Sequence, residues 1–141
     1  MKETMIEKLY KKFSELREEA VEDCKFIRTE LDNSFNNTNK IIKYINLKCE
    51  WNRVNRKFEL ERKQKYRKLY EFYQTDYPLK INTKDEYQLF IESDSEYYDI
   101  QSKSQITKEI IIYIDSVLDA LKGRGYEIKN CLEWEKFKNG Q

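Results

Sequence analysis

The chain is 141 residues long and nearly neutral, with 27 basic against 26 acidic side chains, no histidine and only three glycines. The missing histidine excludes Ser-His-Asp and Cys-His relays and imidazole metal sites, and so few glycines leave no P-loop or dinucleotide fingerprint. Charged residues make up 38% and hydrophobic ones 39%, which bounds a modest core, while 14% aromatics argue against disorder and fit an elongated helical protein completed by partner subunits.

This length corresponds to one domain. Cys24, Cys49 and Cys131 are odd in number, far apart and without a CxxC pair, so buried free thiols are expected rather than a disulfide framework or zinc site. The N-terminus lacks the apolar core of a signal peptide and no run reaches membrane-spanning length, which points to a reducing cytoplasm.

In chain order, Ile6, Leu9, Phe13, Leu16, Ala20, Cys24 and Ile27 recur at three- and four-residue steps, predicting a helix over roughly 3–31 with one apolar stripe. Asp32 to Asn39 (DNSFNNTN) has the composition of a loop. From about Asn39 to Tyr73 there is no glycine or proline, so one long helix is expected, striped by Ile41, Tyr44, Leu47, Trp51, Val54 and Phe58. The stripe fails at Glu61 and Lys65. There the chain becomes basic and then aromatic: Arg53, Arg56, Lys57, Arg62, Lys63, Lys65, Arg67 and Lys68 stand against only Glu59 and Glu61, followed by Tyr66, Tyr70, Phe72 and Tyr73.

Gln74 to Asp85 holds the only proline, Pro78, and reads as a break. Tyr87 to Glu92 alternates weakly, which fits one short strand. Ser93-Asp94-Ser95-Glu96 reads as a helix start, with acids near the positive end of the dipole. The helix beyond carries the most apolar face, through Ile106, Ile110, Tyr113, Ile114, Val117, Leu118 and Leu121. Gly123-Arg124-Gly125 is expected to stop it, with a last short helix over about 127–139 presenting Ile128, Cys131, Leu132, Trp134 and Phe137. The fold class is therefore mainly α, an elongated subunit of about four helices.

Charge is unevenly distributed. Residues 40–73 carry 11 basic and 4 acidic side chains, net +7, and residues 74–115 carry 4 and 9, net −5. Cations that track phosphates beside rings that stack on bases suit single-stranded nucleic acid; a solvated basic face of a scaffold or adaptor oligomer accounts for the same charges. The residues expected to contact single-stranded DNA are Arg56, Lys57, Arg62, Lys63, Lys65, Arg67 and Lys68, with Tyr66 and Tyr70 as stacking rings. Glu92, Asp94, Glu96 and Asp99 cluster, but their place at a helix start explains them without a metal. No catalytic residue, metal or cofactor is assigned, and the chain is expected not to be an enzyme.

The run Ser116 to Gly140, with Arg124-Gly125, Tyr126, Ile128-Lys129, Trp134, Phe137 and Gly140, resembles the C-terminal signature of the UvsY family, recombination mediators of large tailed bacteriophages. Phe90 to Lys103 and the Glu71-Phe72-Tyr73 end of the basic helix match as well, and Phe26-Ile27, Leu31 and Tyr44 match more loosely. The resemblance implies a factor of phage DNA recombination, repair and replication in the cytoplasm of the infected bacterial host. Such a factor binds single-stranded DNA, loads a RecA-like recombinase where single-stranded-DNA-binding protein already sits, and forms a ring-like homo-oligomer, a hexamer or heptamer. Residues 1–75 would then hold the N-terminal helices and basic strip, 76–92 a connector, and 93–141 the oligomerisation helices of one domain. Ile110, Ile114, Val117, Leu121, Tyr126, Ile128, Trp134 and Phe137 are the expected core and subunit contacts, and Arg124 is placed with them at the oligomer interface. The family's Lys-x-Arg motif is matched by Lys65-Tyr66-Arg67; anchored on the aromatic pair instead, Arg67 takes the Lys position and Leu69 falls where Arg is expected. The segment before Glu15 is longer than the family pattern and has no assigned role.

Overall fold

The computed structural model describes residues 2–25 and 32–140 and consists there of four helices: α1 (Met5–Asp23), α2 (Asp32–Thr75), α3 (Lys84–Glu92) and α4 (Ser95–Lys138). Each well-defined start has a side-chain cap. The Thr4 hydroxyl accepts from the Glu7 amide while the Glu7 carboxylate accepts from the Thr4 amide, a capping box that satisfies two orphan donors of α1. Thr83 caps α3 and Asp94 caps α4.

α2 and α4 have 44 residues each, so each extends for about 66 Å at 1.5 Å per residue. They lie antiparallel, and polar contacts mark the register from one end to the other. The Asn37 amide donates to the Leu121 carbonyl at 3.1 Å, Lys48 pairs with Asp115 at 2.6 Å, the Thr107 hydroxyl donates to Asn55 at 2.9 Å, and Lys65 pairs with Glu96. α1 covers one stretch of this pair, running antiparallel to α2 and alongside α4. Leu9, Phe13, Leu16 and Ala20 of α1, Tyr44 and Phe58 of α2, and Ile106, Ile110, Ile114, Val117, Leu118 and Leu121 of α4 form the main core. The stripe expected for α1 is the one buried. Its helix ends at Asp23 rather than near 31, and Phe26, Ile27 and Leu31 lie outside the described residues.

A polar knot fastens α1. The Asp23 carboxylate accepts from Lys43 at 2.8 Å and from the buried Tyr44 hydroxyl at 2.7 Å, and Arg124 donates to the Asp23 carbonyl at 2.7 Å. Burial works against the Asp23 charge, but the Lys43 and Tyr44 bonds outweigh it and hold the carboxyl below its ordinary value. Burial first and Asp23 second push the Tyr44 hydroxyl up, which keeps it a donor.

Four expectations are corrected. Asp32 to Asn39 is the first part of α2 and not a loop: Asn and Ser are only mildly poor helix formers, and the Asn37 bond to α4 rewards the helical form. Tyr87 to Glu92 belongs to α3 rather than a strand, because the Thr83 cap and the acids Asp85 and Glu86 favour a helix that buries Ile91. Gly123-Arg124-Gly125 does not end a helix. Both glycines are helical, at a cost of about 1 kcal/mol each, offset by Leu121 and Arg124 buried beside them, and α4 runs on to Lys138. Gly140, at φ 74°, is the glycine in the left-handed conformation just past that end. Finally, Cys49 is exposed, and Cys24 and Cys131 are half-buried, in place of three buried thiols.

The burial of α4 places part of the expected core and subunit set in this chain's own core. Ile110, Ile114 and Leu121 are fully buried and Val117 nearly so within this one chain, so they have no area left for a second subunit. Arg124 is buried and caps the carbonyl of Asp23, the last residue of α1. Ile114→Ala is expected to cost about 2–5 kcal/mol of unfolding free energy. Urea denaturation at two protein concentrations checks this: a core role gives the same loss at both, whereas an interface role makes the loss concentration-dependent.

Candidate nucleic-acid interface

Between Arg53 and Gln74, α2 contains neither glycine nor proline, and its side chains divide cleanly between two faces. Residues three and four apart share a face. One stripe, Phe58, Arg62, Lys65, Leu69 and Tyr73, turns toward α3 and α4. The opposite stripe, Arg53, Arg56, Leu60, Lys63, Arg67 and Tyr70, is exposed along its length, with Lys57 and Lys68 beside it.

The inward stripe does not stop at Glu61 and Lys65, as its apolar pattern suggests; it becomes polar and stays packed. Leu69, Ile91 and Tyr97 form a second small core, with Tyr66 and Tyr73 against it, and Tyr66 meets Tyr97 edge-on at 6.0 Å. Arg62 donates to Glu59 at 2.9 Å and to the Tyr97 hydroxyl at 3.1 Å. Glu59 also accepts from the buried Ser104 hydroxyl and pairs with Lys108 at 3.0 Å. The Arg62 bond, then the Ser104 bond, bring the Glu59 carboxyl down to about 2. Lys65 is engaged by Glu96, with its side chain only 23% exposed.

The nine expected DNA-contact residues thus separate into two groups. Arg56, Lys57, Lys63, Arg67, Lys68 and Tyr70 are together on the outer face. Arg62, Lys65 and Tyr66 are on the inner one, occupied by partners in the same chain. In the Lys65-Tyr66-Arg67 run only Arg67 faces out, and Lys68 joins it. The Arg67 side chain is 83% exposed and pairs loosely with Glu71 at 3.2 Å, an arrangement worth little against solvent. A shallow groove of about 430 Å³ beside it is lined by Gln64, Arg67, Lys68 and Glu71. Two residues of this face are absent from the set expected from the sequence: Arg53, at the start of the outer stripe, and Leu60, 57% exposed between its cations. Helical spacing from Arg56 and Lys63 is signal enough to find both.

The acids at the start of α4 are accounted for individually. Asp94 accepts from the Tyr97 amide at 3.0 Å, Glu96 holds Lys65, and Asp99 pairs with Lys103 at 2.9 Å. Among the described residues no group of acids and cysteines is placed to hold a metal ion, and no helix is long and apolar enough to cross a membrane. At the far end of α4, Tyr126, Trp134 and Phe137 are exposed and Ile128 is half-buried; Trp134 and Phe137 stack on each other at 5.8 Å.

Residues 15–141 match the family model described as "Recombination, repair and ssDNA binding protein UvsY", whose start coincides with the Glu15 boundary of the sequence pattern. The fold matches crystal structures of the recombination mediator protein UvsY of bacteriophage T4. One lattice form gives a TM-score of 0.80 at 20% identity, covering 89% of this chain and 98% of that one. A second gives 0.78 at 22% identity, covering 90% and 97%. No curated protein matches in sequence.

The Glu59 network predicts a pH signature. Because its carboxyl is held below the ordinary 4.5, its contribution is complete above about that pH and is lost as pH falls toward about 2. Glu59→Gln should lower unfolding free energy by about 1–2 kcal/mol at neutral pH, after allowing for solvent screening. Denaturation at pH 7 and pH 3 checks this: the gap between variant and parent should narrow in acid, and an unchanged gap contradicts it.

Proposed function

Because this chain belongs to the UvsY family, we propose that it is a single-stranded-DNA-binding recombination mediator that helps a RecA-like recombinase load onto DNA covered by single-stranded-DNA-binding protein. The observation that carries this reading is the outer face of α2. Arg53, Arg56, Lys57, Lys63, Arg67 and Lys68 project from one rigid helix whose other face is anchored to α3 and α4. A row of cations on a straight support follows a phosphate backbone without reading sequence. A factor that acts on any exposed strand requires this kind of contact.

One such row contacts few phosphates, so a single subunit binds weakly and is sensitive to salt. Repetition in a homo-oligomeric ring raises avidity by about 10²–10⁴ without new contacts. The exposed rings of the α4 tail, Tyr126, Trp134 and Phe137, with half-buried Ile128, are the proposed subunit contact, since large exposed apolar groups on one segment mark an interaction surface. Residues 93–141 in this reading both complete the chain's own core and carry its assembly, within one helical domain working in the host cytoplasm. The recombinase and the single-stranded-DNA-binding protein are the proposed protein partners.

Binding to a labelled oligothymidylate across a salt series tests the reading. Replacing Lys63, Arg67 and Lys68 together by Gln should weaken binding and flatten the slope of log affinity against log salt by about 2, at about 0.7 for each phosphate no longer neutralised. Lys65→Gln should leave that slope unchanged, because its charge is already paired with Glu96. A parent protein indifferent to single strands at low salt would make the face a protein-docking or solvated surface of a scaffold.

A further inference from the structure

The outer stripe of α2 ends in a ring that is braced from another helix. Tyr70 follows Arg67 by three residues and Lys63 by seven, which puts its ring in line with both cations. Its centroid lies 4.8 Å from that of Tyr87 on α3, with the planes 32° apart, and Tyr70 remains 40% exposed. Tyr87 itself is half-buried. α3 is capped by Thr83 and anchored through the fully buried Ile91 beside Leu69, so Tyr87 is held on a fixed support. Tyr70 is therefore not a free surface side chain. Its rotamer freedom is already restricted by the neighbouring ring, which lowers the entropy lost when something stacks on it.

We propose that the Tyr70–Tyr87 pair is a base-stacking platform at the end of the phosphate track, with Tyr70 touching the base and Tyr87 acting as a positioning residue from α3. A strand whose phosphates follow Arg56, Lys63 and Arg67 brings a base to the open part of the Tyr70 ring. Every base has a π-face, so the contact adds affinity without sequence preference. It also gives α3 a role: this short helix between the two long ones orients the stacking ring. Tyr66, the other ring expected to stack, packs against Tyr97 on the inner face and is excluded from the platform. The inference rests on the DNA-binding reading above and is separable from it, because stacking and phosphate contact respond to different probes.

The experiment compares binding of oligothymidylate with binding of an abasic strand of the same length, for the intact chain and for Tyr70→Leu, Tyr87→Leu and Tyr87→Phe. Leu is apolar and helix-forming, so both Leu variants retain the fold, which circular dichroism verifies. Tyr70→Leu should weaken oligothymidylate binding by about five- to hundredfold without altering its salt slope. Tyr87→Leu should show part of that loss and Tyr87→Phe should restore it, since the ring rather than the hydroxyl braces Tyr70. On the abasic strand all four proteins should bind alike. Unchanged oligothymidylate affinity in Tyr70→Leu, in a protein that still loses binding when Lys63, Arg67 and Lys68 are neutralised, overturns the platform and spares the phosphate track. Equal losses on both strands for the Tyr variants also overturn it, since they would indicate altered folding of the track. Failure of the intact chain to bind either strand overturns both readings.

Discussion

The antiparallel contact between α2 and α4 sets the rotation of α2 about its own axis, and everything proposed for the surface depends on that rotation. Apolar packing alone permits small slips between two long helices. The polar pairs from Asn37 with Leu121 to Lys65 with Glu96 do not, because each leaves a buried or half-buried group unsatisfied if the register moves. With the phase set, helical geometry turns Arg56, Lys63 and Arg67 to solvent and Arg62 and Lys65 inward. About half a turn of α2 would exchange these groups.

The same constraint explains how a chain with a net charge of only +1 supports a cationic face. Glu59 and Glu96 neutralise cations on the inner side of α2, Asp115 pairs with Lys48, and Asp23 and Glu19 hold Lys43. Asp94 is occupied by a helix cap. Among the described residues, the loose Arg67–Glu71 pair is the one ion pair that offsets the cations of the outer face. Charge is thus sorted by side of the helix as well as by segment, and a long-range field arises without a basic composition.

Much of this is legible in the sequence, and the failures share a cause. Long, glycine-free segments with three- and four-residue apolar spacing predict the principal helices, and Asp94 announces the start of α4. The basic stretch is evident, but its two faces are not, because composition counts Lys65 and Lys68 alike while packing distinguishes them. Glu61 and Lys65 look like the end of a buried stripe if a polar side chain is taken to face solvent; Arg62 and Lys65 are instead held by Tyr97 and Glu96 of the facing α4, with Glu59 of α2 itself bracing Arg62. The loop at Asp32–Asn39, the stop at Gly123–Gly125 and the strand at Tyr87–Glu92 all follow from local propensity. Each gives way to a distant partner, Asn37 on Leu121, Arg124 on Asp23, and Ile91 in the core with Leu69 and Tyr97. Local preferences of about 1 kcal/mol per residue lose to such contacts.

The most direct test of the account is lysine-modification footprinting by mass spectrometry, with and without a single-stranded oligonucleotide. The outer-face reading predicts that Lys57, Lys63 and Lys68 become protected by DNA, while Lys65 on the inner face and Lys8, Lys11 and Lys12 on α1 react at unchanged rates. Equal labelling of Lys57, Lys63 and Lys68 in the presence and absence of bound DNA would contradict it, and would move the DNA contact to another surface of the molecule.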